Sequence, residues 1–537
     1  MMAKHSWQKR WGVPLALVVG IALLALWPFL SRDSLPVETD AELHVFRLAE
    51  LSYLVRGGEF YPRWAPNFYH GYGYPIFNYY APLTYYLGLP VELLPGLDAV
   101  DGIKAVFVLG LLLGGIGTFG YVRRQWGAAA GYVATAVYLY APYVLYVDPH
   151  ARGALAESFS LGIFPLALWL LDRLRGRQTP GRLAAAALAV AGVILSHNLM
   201  ALLFFGILAA WAAWQWLVAA AGGRRAAAWP IAALGLGLLL AAFFWLPVAL
   251  ERTAVNLNTL LGRGDNYDFR THFLTLRELL AWTPRLDWGD TQPAFRFNLG
   301  VAQWLLGGLG LLLLAVRRLR RARQAAFFAI GLLLLLALML PLSTAVWEAL
   351  PFLPYFQFPW RLLGAAAFCL AVLAGAAVDA LLARGPTAGR TAVAVGVALP
   401  ILLGLPLTQP APWDDFGPVT QRRLTEIEHR GRWLGTTSTA DYVPATVDVV
   451  PPPTPDVVRG YYEGTPVDRV NRVAMPDGAV VEAERIRPLL TRYHVQAPKN
   501  FRLRLYLFDF PGWQVRIDGE RVETELARPE GFIVVPV

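Results

Sequence analysis

The sequence predicts a polytopic α-helical membrane protein of about eleven spans, followed by a small extracytoplasmic β-rich domain. Three observations predict it. The 537 residues are 56% hydrophobic and 16% charged, where soluble domains carry roughly 25% charged residues. Apolar runs close to the ~20 residues a membrane span needs recur along residues 1–407. Beyond residue 408 these runs give way to period-two alternation broken by turn residues.

The spans fall at about 12–30, 103–122, 127–147, 155–171, 183–198, 199–220, 229–249, 299–316, 325–342, 361–383 and 391–407. Lys4, Lys9 and Arg10 precede the first. The bulky Trp27-Pro28-Phe29 stands where a cleaved leader needs small residues, so that span is expected to be retained. Basic clusters then mark every second connection: Arg123-Arg124, Arg173 to Arg182, Arg224-Arg225, Arg317 to Arg323 and Arg384 to Arg390. That alternation is the positive-inside pattern. It explains the net charge of +9 without nucleic acid. The remaining connections face outward: 31–102, 148–154, the hinge at His197, 250–298, 343–360 and everything after 407. An odd number of spans puts the N-terminus in the cytoplasm and the C-terminal domain outside, in a bacterial cytoplasmic (inner) membrane. The single cysteine, Cys369, lies in an apolar run, which excludes an intramolecular disulfide and a cysteine metal cluster.

The transmembrane domain thus covers 1–407 and the β-rich domain 408–537. The first outer loop, 31–102, is crowded with tyrosine, a residue that favours the headgroup region. Leu43, Phe46, Leu48, Leu51 and Leu54 give Ala41 to Leu54 a helical period, predicting an interfacial helix. In the last domain, Ala479 to Ala483 and Phe501 to Tyr506 alternate as strands. Pro511-Gly512-Trp513 and Asp518-Gly519 read as turns.

Chemistry concentrates in the outer connections. Glu38-Thr39-Asp40 sets two carboxylates two residues apart, able to share a divalent cation or to leave one as a base. A solvated acidic loop is the competing reading. Glu42 is expected on a helix surface, and His44 follows Asp40 at helical spacing. Asp148-Pro149-His150-Ala151-Arg152 offers two ligands for a hard cation and a guanidinium free for a phosphate, with Glu157 opening the next span. Ionisable groups at membrane depth are costly and are retained for function. His197-Asn198 interrupts an apolar stretch and serves equally well as a hinge. Arg361, in Gln357-Phe358-Pro359-Trp360-Arg361, stands at the outer boundary, where it can fork onto a lipid phosphate or anchor the interface. Loop 250–298 carries many charges without a pattern. There is no Walker A loop, dinucleotide fingerprint, HExxH or GxSxG with triad partners.

Tyr61-Pro62-Arg63-Trp64, Gly71-Tyr72-Gly73-Tyr74-Pro75, Gln357-Phe358-Pro359-Trp360-Arg361 and Phe510-Pro511-Gly512-Trp513 with Asp518-Gly519 are similar to motifs of the YfhO-like bacterial membrane proteins. They also resemble the related group labelled 6-pyruvoyl-tetrahydropterin-synthase-related, a label that implies no pterin chemistry. The general plan, an acidic motif in the first outer loop, many spans and an outer C-terminal domain, resembles the GT-C glycosyltransferases. The resemblance covers nearly the whole chain. It implies a GT-C-like fold and a polyprenyl-phosphate-linked sugar donor, with transfer on the outer side of the membrane to an acceptor the sequence does not name. The family's first acidic motif falls on Glu38 and Asp40, with Asp40 as general base. Its second falls on Asp148, with His150 where a second carboxylate often stands. Arg361, Arg152 and Arg63 then face the donor phosphate. His44, His150, Glu157, His197 and Tyr74 line the cavity. A divalent cation, Mg or Mn, is the one cofactor implied, with Asp148 and Asp40 as its ligands. Two rival readings fit the spans: a flippase of lipid-linked glycans, and a non-catalytic protein of envelope assembly.

Overall fold

The computed structural model describes residues 12–37, 39–220, 223–257, 261, 267–281, 297–437 and 441–537. The chain forms two compact units. The first comprises Met1–Ala41, Lys104–Ala242 and Leu261–Phe416, and the second Glu42–Ile103, Phe243–Leu260 and Gly417–Val537.

Among the described residues, eight helices are long and apolar enough to cross a membrane: Val13–Ser31, Ala99–Trp126, Ala128–Arg152, Leu155–Gly176, Asn198–Leu217, Ala322–Met339, Pro359–Leu382 and Pro386–Thr408. A bent pair, Arg224–Leu240 with Ala242–Leu250, forms a further candidate. Pro180–Ser196 and Val301–Ala315 are shorter apolar helices. Each of the eleven expected spans therefore has a helical counterpart. Leu155–Gly176 and Pro359–Leu382 are mostly buried, while Val13–Ser31 and Pro386–Thr408 expose most of their surface. Exposed Leu23, Leu333 and Leu402 are the lipid-facing side chains such an arrangement requires. Lipid gives helices no hydrophobic reason to associate, so close approach of backbones must do so. At Gly162 a side chain would collide with the backbone of Gly110 on the Ala99–Trp126 helix.

At one end of this unit the basic connections meet. Asp172 is shared by Arg124 at 2.7 Å and Arg175 at 2.8 Å. Arg321 donates to Gln125 at 2.7 Å, Arg320 lies 3.5 Å from Asp379, and the Trp214 indole donates to the carbonyl of Arg323. Three of the clusters assigned to one membrane side on charge alone, those holding Arg124, Arg175 and Arg320 to Arg323, are thus physically together.

The helix Asp40–Arg56, which belongs to the second unit from Glu42 onward, is not interfacial. Leu43, Leu48, Leu51 and Leu54 are buried, but so are Glu42, His44, Arg47 and Glu50. The periodicity was real, yet every charge on the supposed wet face has a partner. Glu42, expected on the surface, is fully buried between Arg423 at 3.2 Å, Arg432 at 3.1 Å and the Trp433 indole at 2.9 Å. The tyrosines of the first outer loop likewise pack inward; Tyr69, Tyr72, Tyr74, Tyr79 and Tyr85 are all buried.

The chain from 417 continues with two helices the alternation did not announce, Gln421–His429 and Pro455–Glu463. The β-rich part follows. Strands β1 (Val480–Arg487) and β2 (Leu490–Gln496) form an antiparallel hairpin. Strands β3 (Arg502–Phe508), β6 (Glu525–Ala527) and β7 (Phe532–Pro536) form a sheet in the order β3-β7-β6. Strands β4 (Val515–Ile517) and β5 (Glu520–Val522) form a second hairpin. Its turn is Asp518-Gly519, both at positive φ, the conformation a two-residue hairpin demands. Val470, Val481, Leu503, Leu505, Ile533 and Val535 make the core beneath.

Candidate functional site

In the first unit, the chain after Ala128–Leu139 widens into a π-helical turn, Tyr143–Arg152, with Pro149 inside it. Such wide turns recur at functional sites because they re-aim side chains within one turn. Here the turn sets Tyr143, Asp148 and Arg152 toward Glu157 on the following helix. Gly153 ends it at φ 66°, and its N–H returns to the carbonyl of Asp148.

Arg152 is the hub. Its Nη1 donates to Asp148 Oδ1, to Glu157 Oε2 at 2.9 Å and to the Tyr143 hydroxyl at 3.2 Å. The Tyr143 hydroxyl donates in turn to Glu157 Oε1 at 2.6 Å. Arg361 approaches Glu157 Oε2 with Nε at 3.2 Å and donates from Nη1 to the Phe356 carbonyl at 2.9 Å. Asp148 and Glu157 are 0% and 1% exposed, and Arg361 is 8%. Isolated charges at such depth would cost several kcal/mol each, so pairing is obligatory. Aromatic rings complete the shell. Arg152 lies 4.7 Å over Trp360, which is stacked on Phe297 at 4.7 Å and on Phe358 at 4.8 Å, and Arg361 covers the Phe358 ring at 4.8 Å.

Asp40 reaches this cluster through the backbone. A side chain at Gly153 would press on Ala41 N and Thr39 Oγ1, both 2.6 Å from its Cβ. The 39–41 segment thus lies directly on the glycine that ends the π turn. The charge of Asp40 acts on both Asp148 and Arg152. His197 caps the Asn198–Leu217 helix, its Nδ1 accepting from Leu199 N at 3.1 Å and Met200 N at 3.3 Å. An imidazole accepting at Nδ1 is neutral, with its proton on Nε2. Glu157, Arg361 and Arg152 act on it electrostatically.

The structure thus brings Asp40, Asp148, Arg152, Glu157, Arg361 and His197 together, and Tyr143 and Trp360 join them unannounced. Arg152, expected to be free for a phosphate, is committed to two carboxylates. His150 leaves the group: its ring stacks on Phe29 at 4.7 Å and faces Trp413 at 5.6 Å. Glu38 lies outside the described residues. Arg63, expected at the donor phosphate, and the expected cavity residues His44 and Tyr74 belong to the second unit. There Arg63 pairs with Glu251 and donates to Asn78, the Tyr74 hydroxyl donates to the Asp441 carbonyl, and His44 shares a 2.7 Å bond with the Tyr85 hydroxyl.

Among the described residues no group of three His, Cys, Asp or Glu side chains could hold a metal ion. The cluster nonetheless has unused acidic capacity. Asp148 Oδ2 is buried without a hydrogen-bond partner among the described residues. Asp40, Asp148 and Glu157 outnumber Arg152 and Arg361 by one charge. Both oxygens of Glu157 are taken, so Asp148 Oδ2 is the acceptor that fits a divalent cation, with the neighbouring Asp40 as the second candidate carboxylate and the remaining ligands drawn from substrate and water, as Mg often does.

A family model described as the 6-pyruvoyl-tetrahydropterin synthase related domain, a membrane protein, matches residues 77–409. No curated protein matches the chain. Among solved structures, the chain is similar to the apo oligosaccharyltransferase of Archaeoglobus fulgidus, with TM-score 0.48 and 14% identity over 79% of this chain and 58% of that one. It is also similar to ArnT from Cupriavidus metallidurans bound to undecaprenyl phosphate, with TM-score 0.39 and 17% identity over 72% of this chain and 62% of that one. The chain spans about six tenths of the length of each. Likenesses this distant carry no functional argument.

Proposed function

We propose that this chain, which belongs to the 6-pyruvoyl-tetrahydropterin synthase related family of membrane proteins, transfers a sugar from a polyprenyl-phosphate-linked donor to an acceptor on the outer side of the membrane. The observation that carries the reading is the buried carboxylate–guanidinium cluster with the Asp40 segment packed against its π turn.

The chemistry asks for two things at once. A base must take the proton of the acceptor hydroxyl as it attacks the anomeric carbon, and charge must be stabilised on the departing phosphate. Asp40 is half-buried, and its charge acts on both Asp148 and Arg152 at the edge of the cluster. Its carboxylate takes the proton. The new glycosidic bond forms as the bond from the anomeric carbon to the phosphate oxygen breaks, with inversion and without a covalent enzyme intermediate. Arg361 pairs with Glu157 through Nε and donates from Nη1 to the Phe356 carbonyl, and presents Nη2 to the phosphate. Glu157 and Tyr143 act at one remove by holding both guanidiniums in place. A divalent cation on Asp148 Oδ2 and Asp40 would neutralise the phosphate, which otherwise enters a cluster with an excess carboxylate. That role sets metal and base functions of Asp40 in competition, and chelation distinguishes them.

The test is a transfer assay on membranes containing the chain, with a panel of radiolabelled isoprenyl-phosphate monosaccharides. The expected result is label moved from at least one donor to an acceptor or to water, and lost in Glu157→Gln. Translocation of the same lipids without cleavage of the sugar–phosphate bond would contradict the reading and favour a flippase.

A further inference from the structure

A second, unassigned cluster lies at the end of the first apolar helix. A cleft of about 450 Å³ opens between Trp27, Ser31 and Arg32 on one wall and residues 408–412 on the other. Arg32 is fixed at its edge: Nη1 donates to the Ala411 carbonyl at 2.9 Å, Nη2 to the Pro410 carbonyl at 2.6 Å, and the guanidinium lies 4.6 Å over Trp413. Among the described residues no carboxylate forms a salt bridge with it. The same Trp413, with Phe29, holds His150. That imidazole is 4% exposed, and neither ring nitrogen has a hydrogen-bond partner. A buried polar group left idle is costly and points to a partner not supplied by the protein. Arg32 and His150 face the same Trp413 ring, and the charge of Arg32 acts on His150, so the two are neighbours; a neutral imidazole has one N–H to donate. Trp27 and Leu30 are both more than half exposed, the pattern of a helix end at the headgroup boundary.

A fixed guanidinium without a carboxylate, an idle imidazole and a roomy cleft at headgroup level share one complement. We infer that this cleft binds an anionic phosphate ester at the membrane surface, with Arg32 supplying the charged contact and His150 a neutral donor. Neither residue belongs to the carboxylate–guanidinium cluster, so the inference stands apart from the transferase reading. The phosphate can come from a membrane phospholipid or from a released isoprenyl phosphate.

Native mass spectrometry on the full chain in nonionic detergent tests this, with phosphatidylglycerol, phosphatidylcholine and undecaprenyl phosphate as separate probes. At least one anionic lipid should bind ten-fold or more tightly than phosphatidylcholine, and Arg32→Gln should abolish that preference while Arg32→Lys keeps part of it. Preference for phosphatidylglycerol identifies a bulk phospholipid. Preference confined to undecaprenyl phosphate identifies the isoprenyl source. Equal binding of all three lipids to the unaltered chain would overturn the inference, as would an Arg32→Gln protein that melts normally and keeps the preference. Should Arg32→Gln not fold, His150→Phe decides: a preference reduced three-fold or more supports the site, and an unchanged one overturns it.

Discussion

At the level of single residues, the cluster and its surroundings are governed by what burial does to charge. The carboxylates Glu42, Asp148 and Glu157 are each at most 1% exposed, and each is held by guanidinium or indole donors. Asp148 and Glu157 were legible in the sequence because ionisable residues stand out against apolar spans. Glu42 was not, because its partners Arg423 and Arg432 lie some 380–390 residues away and nothing local marks the pairing. Glu428 shows the same blindness. It accepts from the backbone N–H groups of His70 at 2.6 Å, Tyr69 at 2.9 Å and Gly435 at 2.9 Å, and burial still pushes its carboxyl up to about 7. The folded unit therefore keeps a proton that the unfolded chain releases between pH 4.5 and about 7. The contribution of Glu428 to stability falls as pH rises through that window. Glutamine does not titrate. Glu428→Gln should thus melt below the unaltered protein at pH 4.5, and its deficit should shrink as pH rises to 7, by at most about 3 kcal/mol. Burial and His429 lower His70, which lies 3.7 Å from Glu428, to about 4. That titration is common to both proteins and drops out of the difference. A deficit that widens with pH in thermal melts would contradict the assignment.

At the level of elements, the spans were legible because apolar length and alternating basic connections are both written locally. The hairpin turn at Asp518-Gly519 was legible for the same reason. The π turn was not. Its register places Tyr143 and Asp148 on one side at a spacing that an α-helical reading scatters, so Tyr143 went unnoticed. The interfacial reading of Ala41 to Leu54 failed because a charged face looks wet whether water or buried guanidinium groups cover it. Gly153 joins two elements that sequence kept apart. Its positive φ disfavours any side chain, and a Cβ would press on Ala41 N. Gly153→Ala should cost about 1 kcal/mol or more in stability. By displacing Asp40 it should slow transfer about 10- to 100-fold. A variant that melts lower yet transfers sugar at the original rate would show that the contact between Gly153 and the 39–41 segment has no part in catalysis.

For the whole molecule, the convergence of the basic connections at Asp172, Gln125 and Asp379 places them at one end of the first unit. The charge bias predicts that this end is cytoplasmic. A Cys369→Ala background carrying single cysteines tests the orientation in intact cells. Arg318→Cys and Arg177→Cys should react with an impermeant maleimide only after permeabilisation. Val473→Cys, at a position 90% exposed in the second unit, should react from outside. Reaction of Arg318→Cys in intact cells would invert the topology and move the site to the cytoplasmic face.

The central claim is that Asp40 is the base. Asp40→Asn keeps the shape of the side chain and removes its basicity, and a positioned base contributes about 10²–10⁴-fold. In the isoprenyl-phosphate assay the variant should lose at least about 100-fold in transfer rate, while its affinity for the lipid-linked donor and its melting temperature stay close to those of the unaltered protein. Transfer at the original rate by Asp40→Asn would contradict the account.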